Sequence, residues 1–292
     1  MWVIFALLAA LFSAATTLML KRSVSEGGAV LSTAAFRVIA GVMLAVAFTV
    51  LGTWPPLPAP FWRTLGFVIP PEIGGMLCLT LALRTGDVSL VQPIMGLIPL
   101  MVMAGGVIFL HEVPSAYAVA GIVLVAMGLY FVGLRRGESW LAPIRSLATS
   151  RSSWYAVTAT LFWTVTSLLH KVGIAIVGPM PWAVSLTLGS GVGLALALPL
   201  LAWKTGGIGA PPRAATWMRI VGLTGLFYAI QQVGLQNAMA RSQAGYVIAV
   251  GSMSILLATA VGVLVLREEG GAHRITGALL VSGGVGLIAL FG

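Results

Sequence analysis

"LFSAATTLMLK", residues 11–21, and "LFWTVTSLLHK", residues 161–171, lie over one another at an offset of 150, and this overlay decides the fold. Leu11, Phe12, Thr16, Leu18 and Lys21 then coincide with Leu161, Phe162, Thr166, Leu168 and Lys171. Further along, at an offset of 156, Gly106, Leu110, Glu112, Gly121 and Gly128 coincide with Gly262, Leu266, Glu268, Gly277 and Gly284. Coincidences at polar and glycine positions, held at a nearly constant offset, read as an internal repeat rather than as chance similarity between apolar helices.

The composition says what solvent the repeat is built for. Hydrophobic residues make up 59% of the 292 residues and charged residues 8%, against about 25% charged in ordinary soluble domains. A water-soluble core of this length would leave most of those side chains on its surface, so the chain reads as a polytopic membrane protein with the lipid bilayer as its partner. The opening residues lack the basic leading region of a secretory signal and reach their first charge only at Lys21, so they read as a retained first helix. The formal net charge is +9, but the sixteen Lys and Arg fall in small groups between apolar runs. They form no basic stripe for nucleic acid and read as topology signals. Cys78 is the single cysteine, and His111, His170 and His273 are far apart, so neither a disulfide nor a metal site is expected, and no cofactor.

A helix needs about 20 apolar residues to cross a bilayer core of about 30 Å. Ten such segments can be drawn: 1–20, 29–51, 64–83, 88–110 and 116–134, then 153–170, 181–203, 217–240, 243–266 and 275–291. The expected fold class is an all-α membrane protein of ten transmembrane helices. It is divided into a first five-helix repeat over 1–134, a linker over 135–152 and a second repeat over 153–292. Similar units joined after an odd number of crossings sit in opposite orientations, which is the inverted-repeat plan of many secondary transporters.

The stretch "ALRTGDVSLVQPIMGLIPLMVMAGGVIFLHEVPSAYAVAGIVLVAMGLYFVG", residues 82–133, resembles the EamA-type domain of the drug/metabolite transporter superfamily. The resemblance is carried by Ala82 and Leu83 ending the third segment, Pro99 within the fourth, Glu112 just after it, and Gly121 and Gly128 in the fifth. Glu268, Gly277 and Gly284 repeat the pattern, although Ile255 stands where the family often has proline. It implies a substrate cavity between the halves, walled mainly by helices 1, 3, 4, 6, 8 and 9, and solutes ranging over amino acids, other metabolites and toxic amines. Orientation stays open. If the amino terminus defines one side, that side carries only Arg63, Lys171 and Arg241 against twelve basic residues opposite, which places both termini outside. The resemblance places them inside.

"FVIPPEIGGML", residues 67–77, sets Glu72 about midway between Arg63 and Arg84, close to the bilayer midplane. A carboxylate there costs several kcal/mol unless paired, hydrated or protonated. Arg37 lies eight residues into the second segment, about 12 Å at 1.5 Å per residue, and reaches a similar depth. Two readings follow: a structural ion pair between Arg37 and Glu72, or a Glu72 that faces a cavity and takes a cationic group or a proton. Both hold if the pair lines the cavity wall. Pro70 and Pro71 remove two amide donors and are expected to kink the third helix or open one turn. Pro93 and Pro99 are expected to interrupt the fourth around Gln92, Met95 and Gly96.

In the eighth segment Tyr228, Gln231, Gln232, Gln236 and Asn237 form the most polar intramembrane cluster, with Tyr228 the counterpart of Glu72 at the offset of 156. Its face either bonds neighbouring helices or lines the cavity. Trp163, Thr166 and Ser167 in the sixth segment, with Thr16 and Thr17 in the first, offer an aromatic wall and hydroxyls. Those hydroxyls have the alternative of bonding their own helix carbonyls. "GSGVG" at 189–193 and the "GGV" pairs at 105–107 and 283–285 read as close helix contacts rather than phosphate loops. Glu112 and Glu268, at helix ends, are expected to meet helix termini or loop amides.

The expected function is secondary transport, as an exporter, of a small organic solute such as an amino acid or amine, with a bacterial inner (plasma) membrane as the expected location. The candidate substrate-binding residues are Glu72, Gln92, Met95, Trp163, Thr166, Tyr228, Gln231 and Gln232. Protons are the candidate coupling ion, and a monomer suffices. A passive channel on the same fold is the alternative. A membrane-embedded enzyme would need clustered His, Asp, Glu or Ser, which seven scattered acids do not supply.

Overall fold

The computed structural model describes residues 1–27, 29–85, 88–133, 141, 145, 150–205, 213–257 and 272–292, and among them every regular element is helical. Helices bond all their backbone groups internally, which is what a chain surrounded by hydrocarbon requires. The elements are α1 (Trp2–Gly27), α2 (Ala29–Leu51), α3 (Ala59–Thr85), α4 (Val88–Met95), α5 (Ile98–Leu110) and α6 (Ala116–Gly133). They continue with α7 (Arg151–Val177), α8 (Pro179–Thr205), α9 (Ala214–Met239), α10 (Ala244–Gly251) and α11 (Ala272–Phe291). Each of the ten expected segments holds a helix. Among the described residues, five stretches are long and apolar enough to cross a membrane: Trp2–Leu20, Val30–Leu51, Pro93–Leu110, Arg151–Val177 and Pro179–Pro199.

Several helices outrun the apolar segments that predict them. α1 continues past Lys21 to Gly27 because the intervening side chains all tolerate a helix and glycine is the first breaker. α3 starts at Ala59 because Pro60 falls in its first turn, where a missing amide costs nothing. Gly178, at φ +85°, makes the left-handed turn between α7 and α8, and Pro179 opens the next helix.

Prolines act differently at different depths of the ladder. α3 runs through Pro70 and Pro71, and α4 through Pro93, with no turn opened. Each ring holds φ near the helical value even as it withdraws a donor. The fourth expected helix is nevertheless two helices. Pro99 cannot bond the Met95 carbonyl, and the chain turns at Gly96 and Leu97, where the Leu97 N–H donates to Ile94 O at 3.1 Å. The ninth breaks at Ser252, the counterpart of Gly96, although no proline is present. There the Ser252 hydroxyl donates to Ile248 O at 3.0 Å and the Ile255 N–H to Ser252 O at 3.0 Å, a locally tightened turn. Residues 258–266 of that segment lie outside the described residues.

The chain folds as two compact units, Met1–Ile73 with Val172–Ala240, and Gly74–Lys171 with Arg241–Gly292, so each draws on both sequence halves. In the first, α1 packs on α9 and α2 on α8 through small residues. A Cβ on Gly41 would come within 2.7 Å of Leu188 Cα, and one on Gly191 within 2.8 Å of Val38 N. Phe36, Trp217 and Tyr228 fill the core beside them, with the Phe36 and Tyr228 rings edge to face at 5.1 Å. In the second unit α6 and α11 cross with glycine against glycine, Gly121 facing Gly284 and Gly128 facing Gly277. A Cβ on any of the four would approach the opposite carbonyl oxygen to 2.5–2.7 Å.

Backbones this close exclude larger side chains. Gly128→Leu is expected to lower the thermal midpoint in detergent, since overpacking costs about 1–3 kcal/mol or more when backbone must move. Gly286→Ala, with nothing within 4 Å of the added carbon, is expected to melt as wild type. Equal midpoints for wild type and Gly128→Leu would contradict this packing.

Candidate functional site

Arg37 is the organising side chain of the first unit. It projects from α2, and its Nη1 donates to Glu72 Oε1 of α3 at 2.9 Å and to Ser190 Oγ of α8 at 3.0 Å. Its guanidinium carbon lies 5.3 Å from the ring centroid of Tyr228 on α9. Four helices thus converge on one cation. The side chains of Arg37 and Glu72 are each 10% exposed, so neither charge is fully hydrated and each needs the other. The tyrosine face adds a further attraction to the cation. Gly191 makes the approach of α8 possible, and the Ser190 hydroxyl donates to Thr187 O at 3.2 Å, leaving its lone pairs toward the arginine.

From Tyr228 a line of polar groups continues along α9. Gln232 Nε2 donates to the Tyr228 hydroxyl oxygen at 2.6 Å, and Gln236 Nε2 donates to Gln232 Oε1 at 3.0 Å. The spacing of four residues stacks the three side chains on one helix face. Gln231, on the same helix, is half-buried and makes no side-chain hydrogen bond among the described residues. Asn237 turns back to Val233 O at 2.8 Å and contacts Met180 Sδ at 3.7 Å.

Met95, Trp163 and Thr166 belong to the second unit. Met95 Sδ accepts from Thr160 Oγ1 at 3.5 Å, and Trp163 is half-buried with its indole edge over Gly75. A Cβ there would come within 2.8 Å of Trp163 Nε1. The hydroxyls of Thr166 and Ser167 donate to Trp163 O at 3.1 and 2.7 Å, and Thr16 and Thr17 likewise bond Phe12 O and Ser13 O. Their hydrogens are therefore committed to their own helices. The Gln92 side chain and Glu268 lie outside the described residues.

Two participants escaped the sequence reading. Ser190 sits inside "GSGVG", where the glycines drew the attention and the hydroxyl none. The other is Lys171, in a network around Glu112, whose carboxylate oxygens both accept the Ala244 N–H at 3.1 Å, at the start of α10. Lys171 lies 3.4 Å from Glu112 Oε1 and donates to Ser242 O at 2.7 Å. His111, at φ 54°, takes a left-handed conformation at the end of α5 that turns Glu112 back over Gly106. A carboxylate against the positive end of a helix is favourable, and a helix end was the place expected for Glu112.

Apolar spans, a charge pair buried among them and interrupted helices define a multi-pass membrane protein. Residues 1–134 match the model of the EamA-like transporter family. Twenty-nine chains of solved structures match this chain. One, titled "Crystal structure of protein", is 17% identical with a TM-score of 0.78, covering 100% of this chain and 99% of its own, a likeness of fold. No curated protein matches the chain.

Removing one partner of the buried pair strands the other. Glu72→Gln or Arg37→Gln alone is expected to destabilise the protein by about 3–5 kcal/mol. The double variant, which strands no charge, is expected to recover most of that loss. Thermal unfolding of the four proteins in detergent checks this, and additive losses in the double variant would show that the two residues do not act as a pair.

Proposed function

We propose that the protein is a secondary transporter working as an exporter of small organic solutes such as amino acids or amines. On this reading it has ten transmembrane helices in two inverted repeats, 1–134 and 153–292, and alternates access to a midplane cavity between the repeats. The observation that carries the reading is a set of reciprocal contacts. An offset of 150 maps Gly41 and Val38 onto Gly191 and Leu188, and the close contacts are Gly41 with Leu188 and Gly191 with Val38. An offset of 156 maps Gly121 and Gly128 onto Gly277 and Gly284, and the contacts are Gly121 with Gly284 and Gly128 with Gly277.

Reciprocal contacts of this kind are what a twofold axis generates. Because the paired helices run in opposite directions, such an axis is perpendicular to them and lies in the membrane plane, as in inverted-repeat carriers. The break at Gly96 and Leu97 recurs at Ser252 under the same offset, and interrupted helices are a recurrent feature of carrier binding regions. Glu72 and Tyr228, counterparts under that offset, meet around Arg37. The sequence carries no phosphate-binding loop of the G-x-x-x-x-G-K-[ST] type, so on this reading the drive is an ion gradient or a counter-solute, or coupling is absent and movement is passive.

Counterflow in proteoliposomes tests the proposal. Vesicles preloaded in turn with neutral, acidic and basic amino acids, primary amines and quaternary amines are expected to take up the labelled form of at least one class severalfold faster than protein-free vesicles. Exchange of no member would overturn the reading. Uptake against a concentration gradient when a proton gradient is imposed separates a coupled carrier from a passive channel.

A further inference from the structure

We propose that Glu112 and Lys171 latch the short helix α10 in place, so that α10 opens as a unit when the carboxylate lets go, while the rest of the second unit stays folded. The latch involves the second unit alone and does not depend on what the protein carries. Its first support is that α10, Ala244–Gly251, holds itself poorly. Eight residues fall short of the roughly 12–15 at which an isolated helix becomes even marginal. The N-cap residue Gln243 bonds none of the first-turn amides with its side chain and donates instead to Val113 O at 2.9 Å. Most of α10 is buried, yet burial among apolar helices in hydrocarbon gives little drive of its own. The polar bonds at its amino end therefore decide whether it stays docked.

Those bonds come from other elements, which is the second support. The cap that Gln243 does not supply is supplied by Glu112, both of whose oxygens accept the Ala244 N–H at 3.1 Å. Lys171 Nζ lies 3.4 Å from Glu112 Oε1 and donates to Ser242 O at 2.7 Å, two residues before that amide. Lys171 is the last residue of α7 that belongs to the second unit. One carboxylate thus joins the end of α7 to the start of α10. The lysine side chain is 23% exposed where that of Arg37 is 10%, so it can withdraw into solvent. A further tie, from Ser115 N–H to the Tyr246 hydroxyl at 2.9 Å, is a neutral bond of the weaker kind.

The third support is that the backbone is strained to aim the carboxylate. Among the described residues other than glycine, only His111 has a positive φ, 54°, a conformation that costs an L side chain energy. It ends α5 and turns Glu112 back until Oε2 stands 2.5 Å from where a Cβ on Gly106 would be. Such a conformation persists only while its surroundings over-determine it. Release of Glu112 lets His111 relax, so the strain favours opening once the charged contacts are lost.

Hydrogen–deuterium exchange of the purified protein in detergent, read by mass spectrometry, tests the latch. Residues 246–251 are the ones to follow, because none of their amides bonds Glu112 directly. In Glu112→Ala and in Lys171→Met they are expected to exchange about tenfold or more faster than in wild type, with α6 and α11 unchanged. Lys171→Arg, which keeps the cation, is expected to exchange as wild type. Unchanged exchange of residues 246–251 in both Glu112→Ala and Lys171→Met would overturn the inference. So would equal acceleration of α6, α10 and α11, which marks a bond that stabilises the whole unit. Acceleration in Glu112→Ala alone would overturn the pairing with Lys171. If Glu112→Ala does not fold, Lys171→Met decides against Lys171→Arg, and equal exchange in those two variants overturns the latch.

Discussion

A guanidinium held at membrane depth is the constraint around which the first unit is arranged. An arginine at the centre of a membrane helix costs about 2.5–3.5 kcal/mol on insertion scales unless partners are supplied. Here α3 supplies Glu72, α8 supplies Ser190 and α9 supplies the face of Tyr228. Arginine suits the role because its planar fork serves several acceptors in its plane and leaves its face for an aromatic ring. A lysine would offer one compact charge and no such geometry. The packing of α2 on α8 follows the same requirement, since Gly191 brings Ser190 within reach by admitting the backbone of Arg37 and Val38.

Close backbone contact is the second device, used because apolar burial gives no drive between helices that lie in hydrocarbon. The four glycines of α6 and α11 let carbonyl oxygens rest where side chains would otherwise stand. The interruptions work the other way, tightening the ladder locally to i→i−3 bonds, Leu97 N–H to Ile94 O and Ile255 N–H to Ser252 O. One interruption follows from Pro99 and the other from a serine that competes for the carbonyl of its own helix. Two different local chemistries give one geometry at corresponding positions. Neither prolines nor serines alone therefore mark where a helix breaks.

Much of this was legible in the sequence, because apolar segment length, glycine placement and the offsets between halves are properties of the chain itself. Arg37 and Glu72 could be placed at a common depth by counting residues, and their contact was one of two readings that depth allowed. What the sequence could not show is rotation about the helix axis. Ser190 was invisible for that reason: whether a hydroxyl faces an arginine depends on how α8 turns toward α2. Pro70 and Pro71 were expected to kink the third helix or open one turn, and α3 continues through both with no turn opened, because a fixed helical φ offsets part of what a missing donor costs. The break at Ser252 carries no proline signal and was read as continuous helix. The Glu112 network joins residues 112, 171, 242 and 244. Of these contacts, only the helix end could be anticipated.

Cancellation of charge at Arg37 also bears on how the pair responds to a membrane potential. A potential of 100 mV does about 2.3 kcal/mol of work on each elementary charge carried across it. Arg37 and Glu72, 2.9 Å apart, sum to zero, so a field acting on the two together does no net work on their charge. A lone arginine at the same depth would present one uncompensated charge to that field. The contact that makes Arg37 tolerable among apolar helices therefore also makes the pair electrically silent.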